Sequence, residues 1–342
     1  MEVITEQWIE EELECFQVGD ERLHRLAKHI LAGQCANPTR TFYAGADSQA
    51  AAKATYRFQK NTAVNQQGLL DSHVHKVKQR MADHPVVLCV NDTTQLNFAT
   101  QSAKENRGTL SSSSSPIGYL AHPLVAFTPN KLCLGVLDCK VWSRPPQDYG
   151  KKHQRSKKPL QEKESFRWIQ TYRHTNQLQK AFSHTRLIYV ADRESDLYKL
   201  FVETTAPQSA GMIVRATHDR KVKGEGKRLR EYLRTCPNSF VRKIAISPRD
   251  NQPARTAIVK VFYDRVELQA PCPSEGAAVA MGAVLVRESG APSNATPLHW
   301  LLLTTASRDK FRRGVACGRV LHGPLANRGF LSHAQNGLSR GA

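Results

Sequence analysis

No stretch of the sequence reaches the 18 or so consecutive apolar residues that a membrane-crossing helix needs, so no membrane partner is expected. The first residues, MEVITEQWIEEELE, are acidic, without the basic and then apolar shape of a secretory signal, and the expectation is a cytoplasmic protein. Eight cysteines are scattered with no CxxC pair, which argues against a zinc knuckle or a disulfide framework and for free thiols. No GK[ST] follows a strand pattern, so a P-loop and its nucleotide are not expected. A Ser-His-Asp triad would need a strand-to-helix nucleophile elbow, and none is present. His73 and His75 stand two apart on a helical stretch, point to different faces and make a poor metal pair. Glutamate is absent from residue 289 onward.

Two aspartates stand out against this background. Leu187-Ile188-Tyr189-Val190 is a short branched and aromatic run of the kind that forms a buried strand, and it stops at Ala191-Asp192. A helical pattern begins at once, with Leu197, Leu200 and Phe201 in register and Glu194 and Asp196 in its first turn. Asp192 is therefore either a helix cap or a ligand-binding group at a strand's carboxyl end. Pro85 to Asp92, PVVLCVND, is a second apolar strand ending in aspartate. Neighbouring strands that end this way place two carboxylates at one sheet edge. Hard divalent cations take oxygen ligands of that kind, and such ions can clamp the oxygens of a phosphodiester.

Charge points to a polyanion. The 342 residues carry a formal net charge of +19. Residues 1–80 are neutral, with ten basic and ten acidic side chains, whereas residues 140–187 hold twelve Lys/Arg against three acids. Residues 215–234 hold eight against three. The excess thus flanks Asp192 on both sides, as a phosphate track or as a plain solvated basic surface. Lys151, Lys152, Lys157 and Lys158 lie in a proline-containing basic loop at 144–160, and Arg193, Arg215, Arg220 and Lys221, with His218, are further candidates for phosphate.

Along the chain, Asp20 caps a helix with Leu23, Leu26, Ala27, Ile30 and Leu31 on one face, ended by Gly33. Helices are expected again over 47–58 and around Leu70, Val74, Val77 and Met81; the three make a DNA-binding module or simply a packed bundle. A polar loop with five serines at 111–115 precedes strands at 119–127 and 132–142, a helix at 162–184 and a strand at 211–215. From about 240 to 288 the pattern turns to period two, and 297–305 returns to a buried strand. Residues 306–342 contain six glycines, seven Lys/Arg and a single acid, Asp309. Each glycine costs about 1 kcal/mol inside a helix, so no helix of useful length is expected there.

VNDTT at 90–94, KESFRWI at 163–169, ADRESDLYKLF at 191–201 and LHWLLLTT at 298–305 occur in that order. Together they resemble the DDE transposases of the insertion-sequence-four, Tn-five-like family, and GDERLHRLAKHILAG with ATYRF at 54–58 resembles that family's N-terminal DNA-binding domain. The resemblance spans roughly residues 7–305. It implies an α/β fold: a helical N-terminal DNA-binding domain over 1–81, and an RNase H-like catalytic core over 82–305 with a β-rich insertion at about 238–296. It implies cut-and-paste transposition on double-stranded transposon ends, with Asp92 and Asp192 as the first two catalytic carboxylates and ligands of Mg²⁺ or Mn²⁺, two ions in an intact relative. The family's third carboxylate, a glutamate in a Tyr-Arg-Glu signature, is found nowhere after LHWLLLTT. The expectation is a truncated or frameshifted ending over 306–342, without the C-terminal dimerisation region and deficient in cleavage. Three alternatives stand: a competent transposase, a non-catalytic DNA-binding remnant, or a decayed reading frame.

Overall fold

The computed structural model describes residues 2–38, 40–41, 43–98, 108–110, 117–145, 158–246, 248, 253–293 and 295–306. Four helices come first: α1 (Glu2–Leu13), α2 (Glu21–Ala36), α3 (Gln49–Lys60) and α4 (Gln66–Ala82). Each of the last three opens on a side-chain cap. Asp20 accepts from the Arg22 amide at 2.8 Å, Ser48 from Ala51 at 3.1 Å and Asn65 from Gln67 at 2.9 Å, satisfying amides that a helix start leaves orphaned. Ile9, Leu13, Phe16, Ala27 and Phe58 form their shared apolar cluster. α4 also reaches beyond it, because Val77 and Met81 are fully buried in the main core.

The strands β1 (Val86–Asn91), β2 (Thr94–Asn97), β3 (Gly108–Thr109), β4 (Ile117–Phe127) and β5 (Cys133–Trp142) follow. Next come α5 (Phe166–Ala181), β6 (Arg186–Ala191), α6 (Tyr198–Glu203), β7 (Gly211–Arg215) and α7 (Leu229–Thr235). The described chain closes with β8 (Ser239–Ile246), β9 (Arg255–Leu268), β10 (Val279–Ser289) and β11 (His299–Thr304). All belong to one mixed sheet. β4 lies between β5 on one side and β1 with β2 on the other, and the order runs on through β6, β7, β11, β10 and β9 to β8. β1 pairs parallel to β6, and β6 parallel to β7; the other pairings are antiparallel.

The parallel centre explains the unbroken apolar run VVLCV, since a strand covered on both faces has no polar side to show. Val87 and Cys89 face the cluster built with Trp168, Ile169 and Tyr172 of α5. Leu88 and Val90 face a second cluster with Val125, Phe127 and Val190. The period-two segment forms the meander β8-β9-β10, docked on the core through β11, which pairs with β7.

Some sequence expectations need correction. α2 runs through Gly33 to Ala36, because the Asn37 amide closes the helix on the Gly33 carbonyl at 3.1 Å. No helix starts at Asp192: a 3-10 turn covers Arg193–Ser195, and α6 begins only at Tyr198. α5 starts at Phe166, after a separate 3-10 turn at Leu160–Glu162. α1 and α7 were not expected. The serine run, most of the basic loop and the tail from 307 lie outside the described residues, and with them the expected aberrant ending.

Candidate active site

β1 and β6 run side by side with Asn91 opposite Ala191. The next residue on each strand is an aspartate, so Asp92 and Asp192 leave the sheet together at the carboxyl ends of two parallel neighbours. Two buried side chains fix this exit. Asn91 donates to the Pro123 carbonyl at 2.8 Å, and its amide oxygen accepts from the Tyr189 hydroxyl at 3.0 Å. Burial, and after it the Asp192 charge, push the Asp92 pKa up to about 6. Two like charges at neighbouring strand ends disfavour each other's ionised form.

Asp192 acts as a cap, the first of the two readings of its sequence position. One of its oxygens accepts from the Glu194 amide at 2.9 Å, capping the 3-10 turn. A carboxylate has a second oxygen, and Asp192 is only partly buried. The pair suits one hydrated divalent ion, since Mg²⁺ commonly takes one or two protein carboxylates and fills the remaining positions with water and phosphate. Among the described residues, no group of three or more His, Cys, Asp or Glu side chains stands ready to hold a metal.

Around the aspartates lies a network that the sequence did not announce. Arg167, in the first turn of α5 and 8% exposed, donates from Nε to the Thr93 hydroxyl at 3.2 Å and from Nη1 to the Glu164 carbonyl at 2.8 Å. Its Nη2 pairs with the Glu194 carboxylate. The guanidinium lies 5.4 Å from the Trp142 ring and 5.3 Å from the Trp168 ring. Thr93 is also 2.9 Å from Nδ1 of His122. Burial, and then the Arg167 charge, push His122 down to about 3, so its ring is neutral. KESFRWI marked the segment as a motif without assigning Arg167 a task, and a single histidine inside a strand carries no sequence signal.

The basic candidates divide. Arg193 and Lys221 are exposed and Arg215 is half-buried at the end of β7. Lys158 is exposed, while Lys151, Lys152 and Lys157 lie outside the described residues. Arg220 needs correction as a phosphate contact. It is buried, with Nη1 2.6 Å from an Asp196 carboxylate oxygen and Nη2 donating to the Asp196 carbonyl at 3.2 Å. Asp196 also accepts from the amides of Thr217 at 2.6 Å and His218 at 2.7 Å. A buried cation needs such a partner, and this one ties the turn after Asp192 to the loop after β7. Beside it opens a cleft of about 670 Å³ lined by Lys163, Lys199, His218, Lys221 and Arg228. Lys199 and Arg228 had not been singled out from the sequence.

Comparison with known proteins adds one assignment. Residues 5–64 match the family model described as transposase DNA-binding. This segment, which holds most of α1 and all of α2 and α3, thus carries the sequence pattern of a transposase DNA-binding domain. Among solved structures, a piggyBac transposase synaptic complex with hairpin DNA is similar at 10% identity and a TM-score of 0.32. That match covers 85% of this chain and 52% of the other, so this chain spans about half the length of its counterpart. A likeness this slight carries no argument. No helix among the described residues is long and apolar enough to cross a membrane.

Proposed function

We propose that this chain is a DNA transposase of the insertion-sequence-four, Tn-five-like type, acting on transposon ends by divalent-metal-dependent phosphoryl transfer. The observation that carries the reading is the pairing of Asp92 and Asp192 at the ends of parallel β1 and β6, with mutual repulsion contributing to the raised Asp92 pKa. The sheet order β5-β4-β1-β6-β7, antiparallel on one side of β1 and parallel on the other, supports an RNase H-like core over 82–305. The β8-β10 meander is then its insertion at about 238–296, and residues 1–81 are the DNA-binding domain.

Asp92 and Asp192 would hold Mg²⁺ or Mn²⁺. The ion, when bound, supplies Lewis-acid polarisation of a phosphodiester and a more acidic water. The protein's own part is to bind and orient DNA. Lys199, Lys221, Arg228 and His218 line the cleft that begins where the Asp192 turn ends, and they present positive charge to a phosphate backbone. Arg193 lies in the turn after β6, and Arg215 ends β7.

A second reading has its own observation. Among the described residues no third His, Cys, Asp or Glu side chain joins Asp92 and Asp192 in a group that could hold a metal, and two carboxylates suit one ion rather than two. On that reading the chain binds transposon-end DNA without cutting it. The test is full-length protein with duplexes carrying the inverted repeats that flank its own gene, in Mg²⁺ or Mn²⁺. Nicking that Asp192→Ala abolishes supports the transposase. Binding without nicking selects the second reading, and no binding at low salt refutes both.

A further inference from the structure

The two aspartates sit on separate loops, one after β1 and one after β6. Strand pairing fixes the register as far as Asn91 and Ala191 and stops there. Something else must set the distance between the carboxylates, because repulsion alone would drive them apart. The group that reaches both loops comes from neither strand. The Arg167 Nε holds Thr93, the residue after Asp92, and its Nη2 holds Glu194, whose amide in turn donates to Asp192.

We propose that Arg167 is a positioning residue that sets the spacing of Asp92 and Asp192 for a shared divalent cation, using the Thr93 hydroxyl as one arm and the Glu194 turn as the other. The inference rests on the metal-binding reading above. The guanidinium suits this task for three reasons. It is a rigid planar fork, so its two arms keep a fixed angle, which a lysine cannot do. It lies close to the rings of both Trp142 and Trp168, and its Nη1 bond to the Glu164 carbonyl anchors it to the start of α5. It is almost wholly buried, so its bond to Thr93 is little weakened by competition with water, while the Glu194 carboxylate on the other arm is largely exposed. The Thr93 hydroxyl, held on its other side by His122 Nδ1, cannot swing away from Arg167 without losing a second partner.

Charge and position predict opposite results, which makes the proposal testable. Arg167 is a cation near a cation site. If it acted only through charge, Arg167→Gln would tighten metal binding and Arg167→Lys would leave it unchanged. If it positions the carboxylates, both substitutions weaken binding. Outer-shell partners of metal ligands are typically worth roughly 10–100-fold in affinity, so each variant should bind Mn²⁺ at least roughly tenfold more weakly than the parent.

The experiment is Mn²⁺ titration of the full chain by calorimetry, with free Mn²⁺ followed by electron paramagnetic resonance. Arg167→Lys, Arg167→Gln, Thr93→Val, Thr93→Ser and Asp192→Ala are compared, and each variant's melting is recorded. Thr93→Val removes the hydroxyl at nearly constant volume and no charge, and it should weaken Mn²⁺ binding, while Thr93→Ser should restore it. This pair decides the matter if the Arg167 variants fail to fold. Loss of Mn²⁺ binding in Asp192→Ala, with unchanged affinity in both Arg167→Lys and Thr93→Val, overturns the inference and leaves the metal reading intact. Unchanged binding in Asp192→Ala overturns the metal reading and takes the inference with it.

Discussion

Replacing Asp92 by Asn should make the protein more stable, which is unusual for a change at a strand end. A carboxyl whose pKa in the folded chain is about 6, against an ordinary 3.8, is a group that folding forces to be charged in an unfavourable place. The difference corresponds to about 3 kcal/mol. Asp92 is not fully buried, and solvent screening brings the expected effect to about 1–2 kcal/mol. The sign follows from linkage. Below pH 3.8 the carboxyl is protonated in both states, and Asp and Asn should be equivalent. As the pH rises toward 6 the unfolded chain loses its proton first, and stability falls until the folded form has ionised as well. The advantage of Asn should therefore be absent near pH 3.5, grow between about pH 4 and 6, and reach its plateau above about pH 7.

Asn keeps the local backbone contact, because its carbonyl oxygen can still accept from the Thr93 amide, 2.8 Å from Asp92 Oδ1. Urea denaturation of parent and Asp92→Asn across that pH range measures the difference directly. Mn²⁺ should then act in the opposite direction: it should stabilise the parent by mass action and leave Asp92→Asn nearly unchanged. A destabilised Asn variant, or a gain as large at pH 3.5 as at pH 7.5, would refute the electrostatic account of the site.

Two further outcomes follow from the charged surface. DNA affinity should fall steeply with salt, and replacing Lys151, Lys152, Lys157 and Lys158 together by Ala should reduce the log–log slope by about 2–4, at roughly 0.9 for each phosphate no longer neutralised; an unaltered slope, followed by fluorescence anisotropy, would remove that loop from the interface. Arg220→Met should cost about 3 kcal/mol in urea, because it strips a buried carboxylate of its counter-ion, whereas Lys221→Ala should weaken DNA binding with stability changed by less than about 0.5 kcal/mol. Equal stability losses in the two would show that burial does not separate their roles.

The strands that carry Asp92 and Asp192 were legible because a centre buried on both faces leaves an unbroken apolar word, and VVLCV and LIYV are such words. The meander was legible from alternation for the complementary reason. Arg220 misled because a basic residue in a basic segment reads as solvent-facing. What buries it is Asp196, 24 positions earlier, and no local pattern encodes that pairing. Arg167 and His122 escaped for the same cause, since their partners are long-range: Thr93 lies 74 residues from one and 29 from the other. α1 was missed because its acidic surface hid a narrow apolar contact, in which, among its described side chains, Ile9 and Leu13 enter the helical cluster. Local chemistry wrote the elements; the site is made of contacts between them.

The seam between the N-terminal helices and the sheet follows the same rule, and it bears on how DNA held at residues 5–64 would relate to the two aspartates. Glu12 of α1 is buried, and it accepts from Arg80 and lies 2.6 Å from Nδ1 of His73, both on α4. His73 Nε2 accepts from the Val136 amide of β5 at 2.9 Å, and Arg80 donates to the Leu134 carbonyl at 3.0 Å. An imidazole that accepts at Nε2 and gives its Nδ1 proton to a carboxylate is neutral, and burial lowers its pKa accordingly. The approach is close enough to require glycine at 135: its φ is +135°, and a Cβ there would lie 2.7 Å from His73 Nε2, with the Val77 side chain nearer still. α4 is thus held to α1 by His73 and Arg80 and sunk into the main core by Val77 and Met81. β5 pairs with β4, and β4 pairs with β1, the strand that leads into Asp92. A short series of packed elements therefore joins α1, through α4, β5 and β4, to the strand that leads into Asp92.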